Sequence, residues 1–208
     1  MPAVTKTSRT SSRLRLRRRR ERADLRRSEI ITAALTVFAK HGFANTRAED
    51  VAEQAGIAKG TLYLYFDSKE AIYEAALEYA MTQLRELVSE RLQSATTAAE
   101  RMRVFVGTRM EFWSAQGELY QMIMTVGREK HQKKRTAKII RESVDQINLL
   151  LREGIERGEL RERPVEMVGW AVMDLIRGMN ERRVDGAQPT TIAQDAEFIT
   201  GIALSYFR

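Results

Sequence analysis

Apolar residues recur along most of this chain at intervals of three and four, the spacing of helices with one buried face. Between Ser28 and Lys40, Ile30, Ala34 and Phe38 share a face, flanked by Ile31 and Leu35. Gly42 ends that run behind Lys40 and His41, where the helix dipole favours positive charge. A second helix is expected from Thr46, which forms a T-x-x-E capping box with Glu49 and carries Val51, Ala52 and Ala55 as its stripe. Gly56 stops it, because glycine alone takes the left-handed conformation cheaply. Ile57 points back to the core, and a third helix is expected over Lys59–Phe66, with Leu62 and Phe66 facing inward. A long fourth helix is expected from Lys69 to about Ser94.

The same pattern continues beyond it. Thr97-x-x-Glu100 caps a helix closing near Gly117, a short segment covers Glu118 to Val126, and a long helix with Ile140, Val144, Ile147 and Leu151 ends at Gly158. Pro164 suits the first turn of a helix reaching about Asp185, and Thr191-x-x-Gln194 opens a last helix running to the C-terminus. The prediction is an all-α chain of about nine helices.

Two short helices around a glycine turn form a helix-turn-helix, which lays its second helix in the major groove of DNA. The residues suit that task. Gly60 and Thr61 make a thin helix end through which a backbone can approach base edges, and Lys59 can reach a guanine or a phosphate. Tyr63 and Tyr65 offer hydroxyls to phosphates, and Lys69 stands at the start of the next helix for another. On the pattern alone, a plain helical hairpin with half-buried tyrosines fits equally well.

Charge sharpens the picture. The 208 residues carry a formal net charge of +7, but up to Arg27 there are eleven basic residues against Glu21 and Asp24, a net +9, which leaves −2 for the remainder. The excess is an N-terminal arm over residues 1–27, including Arg17, Arg18, Arg19, Arg20 and Arg22. Its Arg- and Ser-rich composition has three readings: a transit peptide, a solvated tail, or an arm that follows the DNA backbone or enters a minor groove. The DNA reading is favoured because a helix-turn-helix follows at once, and part of the arm is expected to be helical. Three prolines and 43 % apolar residues agree with a helical protein with a real core. The chain has no cysteine, which rules out disulfides and thiol chemistry and suits a cytoplasmic setting. No apolar run approaches the roughly 18 residues of a membrane span.

The string AGIAKGTLYLYFDSKEAIY resembles the signature of the tetracycline-repressor (TetR) family of transcription regulators, most specifically in G-T-L-Y-x-Y-F-x-S-K-E from Gly60 to Glu70. The resemblance extends from about Arg27 to Ala80, and beyond it only length, helicity and the phrase REGIERGELR match. It implies a three-helix DNA-binding domain, here 28–75, and a helical domain for effector binding and dimerisation, here 76–208. By resemblance the DNA-facing positions are Thr46, Arg47, Ala48, Glu49, Lys59, Gly60, Thr61, Tyr63, Leu64, Tyr65 and Lys69. Two positions depart from the family: Ala58 replaces the usual serine cap of the recognition helix, and Arg47 stands where threonine or serine is common.

The resemblance further implies a homodimer through the last two helices, a double-stranded operator and a small-molecule effector. Val168, Ala171, Val172, Leu175 and Ile176 beside Ile199, Ile202, Ala203 and Tyr206 suit an intersubunit four-helix bundle, although they suit an internal core as well. Met110, Trp113, Tyr120, Met124 and Trp170, with Asn148, Asp174 and Arg177 as polar partners, are the candidate lining of a largely apolar effector pocket. Phe112 and Met122 add to that lining. No metal site and no cofactor are expected: His41 is a helix-end residue, His131 lies among basic residues, and neither has an E-x-x-H partner. Nucleotide-binding glycine loops and nucleophile elbows are absent, so the chain is not read as an enzyme. The expectation is a sequence-specific, ligand-responsive repressor. The alternatives are a nucleoid-type DNA packager dominated by the arm, and a helical ligand-binding or enzymatic module with a vestigial reader.

Overall fold

The computed structural model describes the backbone of residues 6–127 and 132–208, and the side chains from residue 17 onward within those ranges. Nine helices and no strand occur among the described residues: α1 Lys6–His41, α2 Ala48–Gln54, α3 Lys59–Leu62, α4 Lys69–Leu92, α5 Ala98–Ala115, α6 Gly117–Val126, α7 Lys133–Glu156, α8 Glu166–Val184 and α9 Ile192–Ser205. The chain divides into two compact units, Met1–Tyr79 and Ala80–Arg208, with the boundary inside α4. The environment of His131 lies outside the described residues.

In the first unit, α1 packs on α2 and α2 on α3. Ile30, Ala34, Phe38, Val51, Leu62 and Ile72 are completely or almost completely buried, which makes the predicted stripes the core. Phe43 stacks against Phe38 and Tyr73 with ring centroids 5.5 and 5.1 Å apart. Gly42 and Gly56 have φ of 74° and 64°, the left-handed stops expected of them.

Three local expectations are corrected. The first helix does not begin near Ser28: the arm from Lys6 continues into it without a break. The cap of α2 is Arg47, not Thr46. Thr46 is buried and its hydroxyl donates to the Gly42 carbonyl at 2.8 Å, while the Asp50 carboxylate accepts from the Arg47 amide at 2.6 Å. Regular α3 ends at Leu62, and the Leu64 and Tyr65 amides then bond three residues back in tighter turns.

In the second unit α5 packs against α6, α7, α8 and α9. Both predicted capping boxes form: Thr97 accepts from the Glu100 amide at 3.2 Å, and Thr191 from the Gln194 amide at 3.2 Å. Pro164 stands just ahead of the Val165 cap of α8 and not within its first turn, and α9 stops at Ser205 short of the chain end.

The faces expected to form the bundle divide, too. Val168, Val172, Ile176, Ile199 and Ala203 are buried within the unit, whereas Met167 (82 % exposed), Trp170, Ala171, Phe198 (55 %) and Ile202 (45 %) are not.

The Glu100 carboxylate also accepts from the Thr96 and Thr97 amides at 2.9 and 3.1 Å, bonds that hold its pKa down from 4.5 to about 2. A carboxyl depressed in the folded state adds stability above its unfolded pKa and loses it as acid is added. Glu100→Gln, which keeps the cap but no charge, will therefore flatten part of the fall in unfolding free energy between pH 4.5 and about 2. Urea titrations of both proteins across that window check this.

Candidate nucleic-acid interface

The reading surface is built from α2, the turn and α3. Leu62 and Phe66 are buried and fasten α3 from below, and the Arg27 guanidinium lies 4.8 Å from the centre of the Phe66 ring. What remains outward is Arg47, Glu49, Lys59, Gly60, Tyr63 and Leu64, with Thr61 and Tyr65 half-buried. Leu64 is 83 % exposed, a large apolar side chain left without cover at the end of the reader.

Lys59 pairs with Glu49 at 2.5 Å, and its ammonium lies 6.0 Å from the Tyr63 ring centre. The pair lowers the pKa of Glu49 and raises that of Lys59, chiefly through their hydrogen bond. Ala58 caps α3 without a side-chain bond, as its departure from serine implies.

Gly60 is informative for what it lacks. A Cβ placed there meets no atom within 4 Å, and its φ is not positive, so nothing within the fold requires a helix-weakening glycine. A close approach from outside is the remaining physical reason.

Three of the expected DNA-facing positions have other roles. Thr46 and Ala48 are buried, the first in its bond to Gly42 and the second in the α2 stripe. Lys69 turns inward: its ammonium donates to the Phe43 and Thr46 carbonyls at 2.8 and 3.0 Å and sits 4.3 Å from the Phe43 ring centre. It latches the loop ahead of α2.

Beside the reader, a groove of about 670 Å³ has Arg19, Arg22 and Arg26 of α1 on one side and Thr61, Leu64 and Tyr65 on the other. Arg17, Arg18, Arg19, Arg20 and Arg22 are all exposed, with Arg17 paired to Glu21 at 2.7 Å.

The candidate effector residues do not form one set. Met110, Trp113, Tyr120 and Asn148 are buried in the second unit and Met124 is half-buried. The Tyr120 hydroxyl donates to the Arg177 carbonyl at 3.1 Å, and burial pushes its pKa up to about 12. Asn148 donates to Glu166 at 2.8 Å. Trp170 and Asp174 lie on the outward face of α8, opposite Val172, Met173 and Ile176; Trp170 donates to Glu166 and Asp174 meets Arg177 at 3.5 Å.

The residue missed from sequence is Arg109, only 3 % exposed and bonded to Ser143 at 3.0 Å. Its signal was a cation inside the α5 stripe of Met102, Phe105, Val106, Met110 and Trp113. No group of three or more potential metal ligands occurs among the described residues. Nor is any described helix long and apolar enough to cross a membrane.

A helix-turn-helix with an outward reader, followed by a helical unit, defines a DNA-binding regulator. Residues 30–76 match the model for bacterial regulatory proteins of the tetR family. The relatives that the chain matches are transcriptional regulators.

The chain is 29 % identical over 136 residues to the "Fatty acid metabolism regulator protein" of Bacillus subtilis, covering 64 % of this chain and 70 % of that one. It is 48 % identical over 52 residues to the regulator RutR of Escherichia coli, covering 25 % of this chain and 24 % of the relative. In fold it resembles the Bacillus subtilis regulator FadR in complex with stearoyl-CoA, with a TM-score of 0.76 and 23 % identity over 87 % of this chain and 99 % of that one.

Lys69→Met removes both loop bonds of the ammonium while keeping its length. It will lower the stability of the first unit by about 1.5–3 kcal/mol, the usual worth of charged hydrogen bonds. Thermal melts followed by circular dichroism measure this; an unchanged melt would return Lys69 to the phosphate contacts.

Proposed function

We propose that this regulator is a ligand-responsive repressor that binds a palindromic operator as a homodimer and is released by an acyl-chain effector. The observation that carries the reading half is the outward Lys59–Tyr65 segment with Gly60 open to solvent. Lys59, Thr61 and Tyr63 read base edges in the major groove, and Leu64 offers an apolar contact to thymine methyl groups. Arg47 and Tyr65 hold phosphates beside them. Glu49 keeps Lys59 extended until DNA competes for it. The arginines of α1 from Arg17 to Arg22 add backbone contacts, and with them affinity and salt dependence.

Dimerisation is assigned to α8 and α9. Met167, Trp170 and Ala171 of α8, with Phe198 and Ile202 of α9, form an apolar surface that nothing within the protomer covers. Gly201, in the same stretch of α9, has no atom within 4 Å of an added Cβ, which favours close approach by another helix. A two-fold dimer places two readers about 34 Å apart on one face of the duplex. The acyl-chain effector is supported by the likeness to the fatty acid metabolism regulator and by an interior rich in methionine and aromatic residues, including Met102, Met110, Trp113 and Met122. Release follows when the effector prefers the dimer geometry that does not bind DNA. Such a protein works in the cytoplasm, where its operator is.

Selection from random duplexes at near-physiological salt tests the reading directly. A palindrome will be recovered, and Lys59→Ala with Tyr63→Ala will weaken binding to it by about 10- to 100-fold. Alanine at Arg17, Arg18, Arg19 and Arg20 will leave the selected sequence unchanged but lower the salt slope by up to about 4. Unrelated sequences of equal affinity would make the arm the dominant binder and the protein a packager of DNA.

Phe198→Glu will yield a folded monomer in sedimentation equilibrium. A variant that stays dimeric would remove α9 from the interface.

A further inference from the structure

Arg109 lies in the middle of the apolar stripe of α5. Around it in the helical register stand Met102, Phe105, Val106, Met110 and Trp113, all of them nearly or wholly buried. Arginine is rarely this deep without a carboxylate, because an unpaired buried cation is costly.

Elsewhere this chain obeys that rule. Arg183, largely buried, pairs with the buried Asp195, and Arg101 pairs with Glu153 at 2.9 Å. Arg109 has no ion pair among the described residues. Its contacts are the Ser143 hydroxyl at 3.0 Å and the Phe105 ring, 5.4 Å from the guanidinium carbon. Ser143 donates its own proton to the Ile139 carbonyl at 3.0 Å, so it presents a lone pair to Arg109 but no charge. The Nε–H is buried with no acceptor.

We infer that Arg109, positioned by Ser143, is the anion-recognition centre of the effector site and takes the oxyanion of the acyl-chain effector. The inference rests on the acyl-chain reading above and adds the chemistry of the ligand's charged end. A guanidinium presents five donors in a planar fork that fits the two oxygens of a carboxylate or phosphate. Burial lowers its pKa to about 10, which leaves it charged at neutral pH and in need of a counter-charge. Phe105, Met102 and Met110 along the same stripe are suited to an apolar chain. An amphiphile with an oxyanion satisfies both halves. A fatty-acid carboxylate and the phosphates of an acyl-CoA share that chemistry.

The test measures binding of palmitate, palmitoyl-CoA and hexadecanol to the full-length protein by calorimetry, with operator release as a second readout. The wild-type protein will bind an anionic probe about 10- to 100-fold more tightly than hexadecanol. Palmitate doing so identifies a carboxylate, and palmitoyl-CoA alone identifies the phosphates. In Arg109→Met the preference will fall to within about twofold, while hexadecanol and operator binding persist. Without ligand, this variant will melt no lower than the wild type, because the charge it loses has no ion-pair partner among the described residues.

Equal binding of all three probes by the wild-type protein overturns the inference and leaves the acyl-chain reading standing. Binding of none removes that reading and the inference with it. Should Arg109→Met fail to fold, Arg109→Lys decides, and a preference unchanged from the wild type overturns the assignment. Arg109→Lys, which keeps the charge and loses the fork, will then retain part of the preference.

Discussion

Leu62 and Phe66 are the anchors on which the DNA-reading surface depends. A helix of four residues has no stability of its own in water. Lys59–Leu62 is therefore held in place by burial of these two side chains, by the bonds that tighten the turn after it, and by Arg27 over the Phe66 ring. In the same unit Phe38, Phe43 and Tyr73 form a ring cluster, and Lys69 ties the loop between α1 and α2 to the start of α4. The side chains that orient α3 are thus not the ones it presents outward.

A similar separation runs through the second unit. One side of α8 and α9 is spent on the protomer core through Val172, Ile176, Ile199 and Ala203, and the other is left apolar and exposed. α5 is the element common to this interior, packing on four other helices. Arg101 and Arg183 there meet carboxylates, whereas Arg109 has no ion pair among the described residues and bonds to Ser143 beside the Phe105 ring.

Much of the architecture was legible in the residues. Gly42 and Gly56 stop their helices because a positive φ excludes most side chains, and the Thr97 and Thr191 boxes depend only on residues three apart. Thr46 misled because an equally good local pattern, Arg47 with Asp50, competed with it, and burial against Gly42 decided between them. Lys69 reads from sequence as a cation at a helix start, and its bonds to loop carbonyls more than twenty residues away come into view only in the fold. Trp170 and Asp174 share α8 with buried residues, but composition does not tell which face is inward.

The sequence by itself determined the class of protein: the order of the nine helices found among the described residues, a helix-turn-helix with its signature, and a basic run ahead of it. Those features rest on local chemistry, namely helical period, caps, backbone freedom and charge density. Tertiary structure decided which polar groups were free. It buried Thr46 and Ala48, tied the half-buried Lys69 to loop carbonyls, turned half of the α8 face outward and buried Arg109 with no ion pair among the described residues. Availability depends on which distant groups share a space, and that is set by packing between helices.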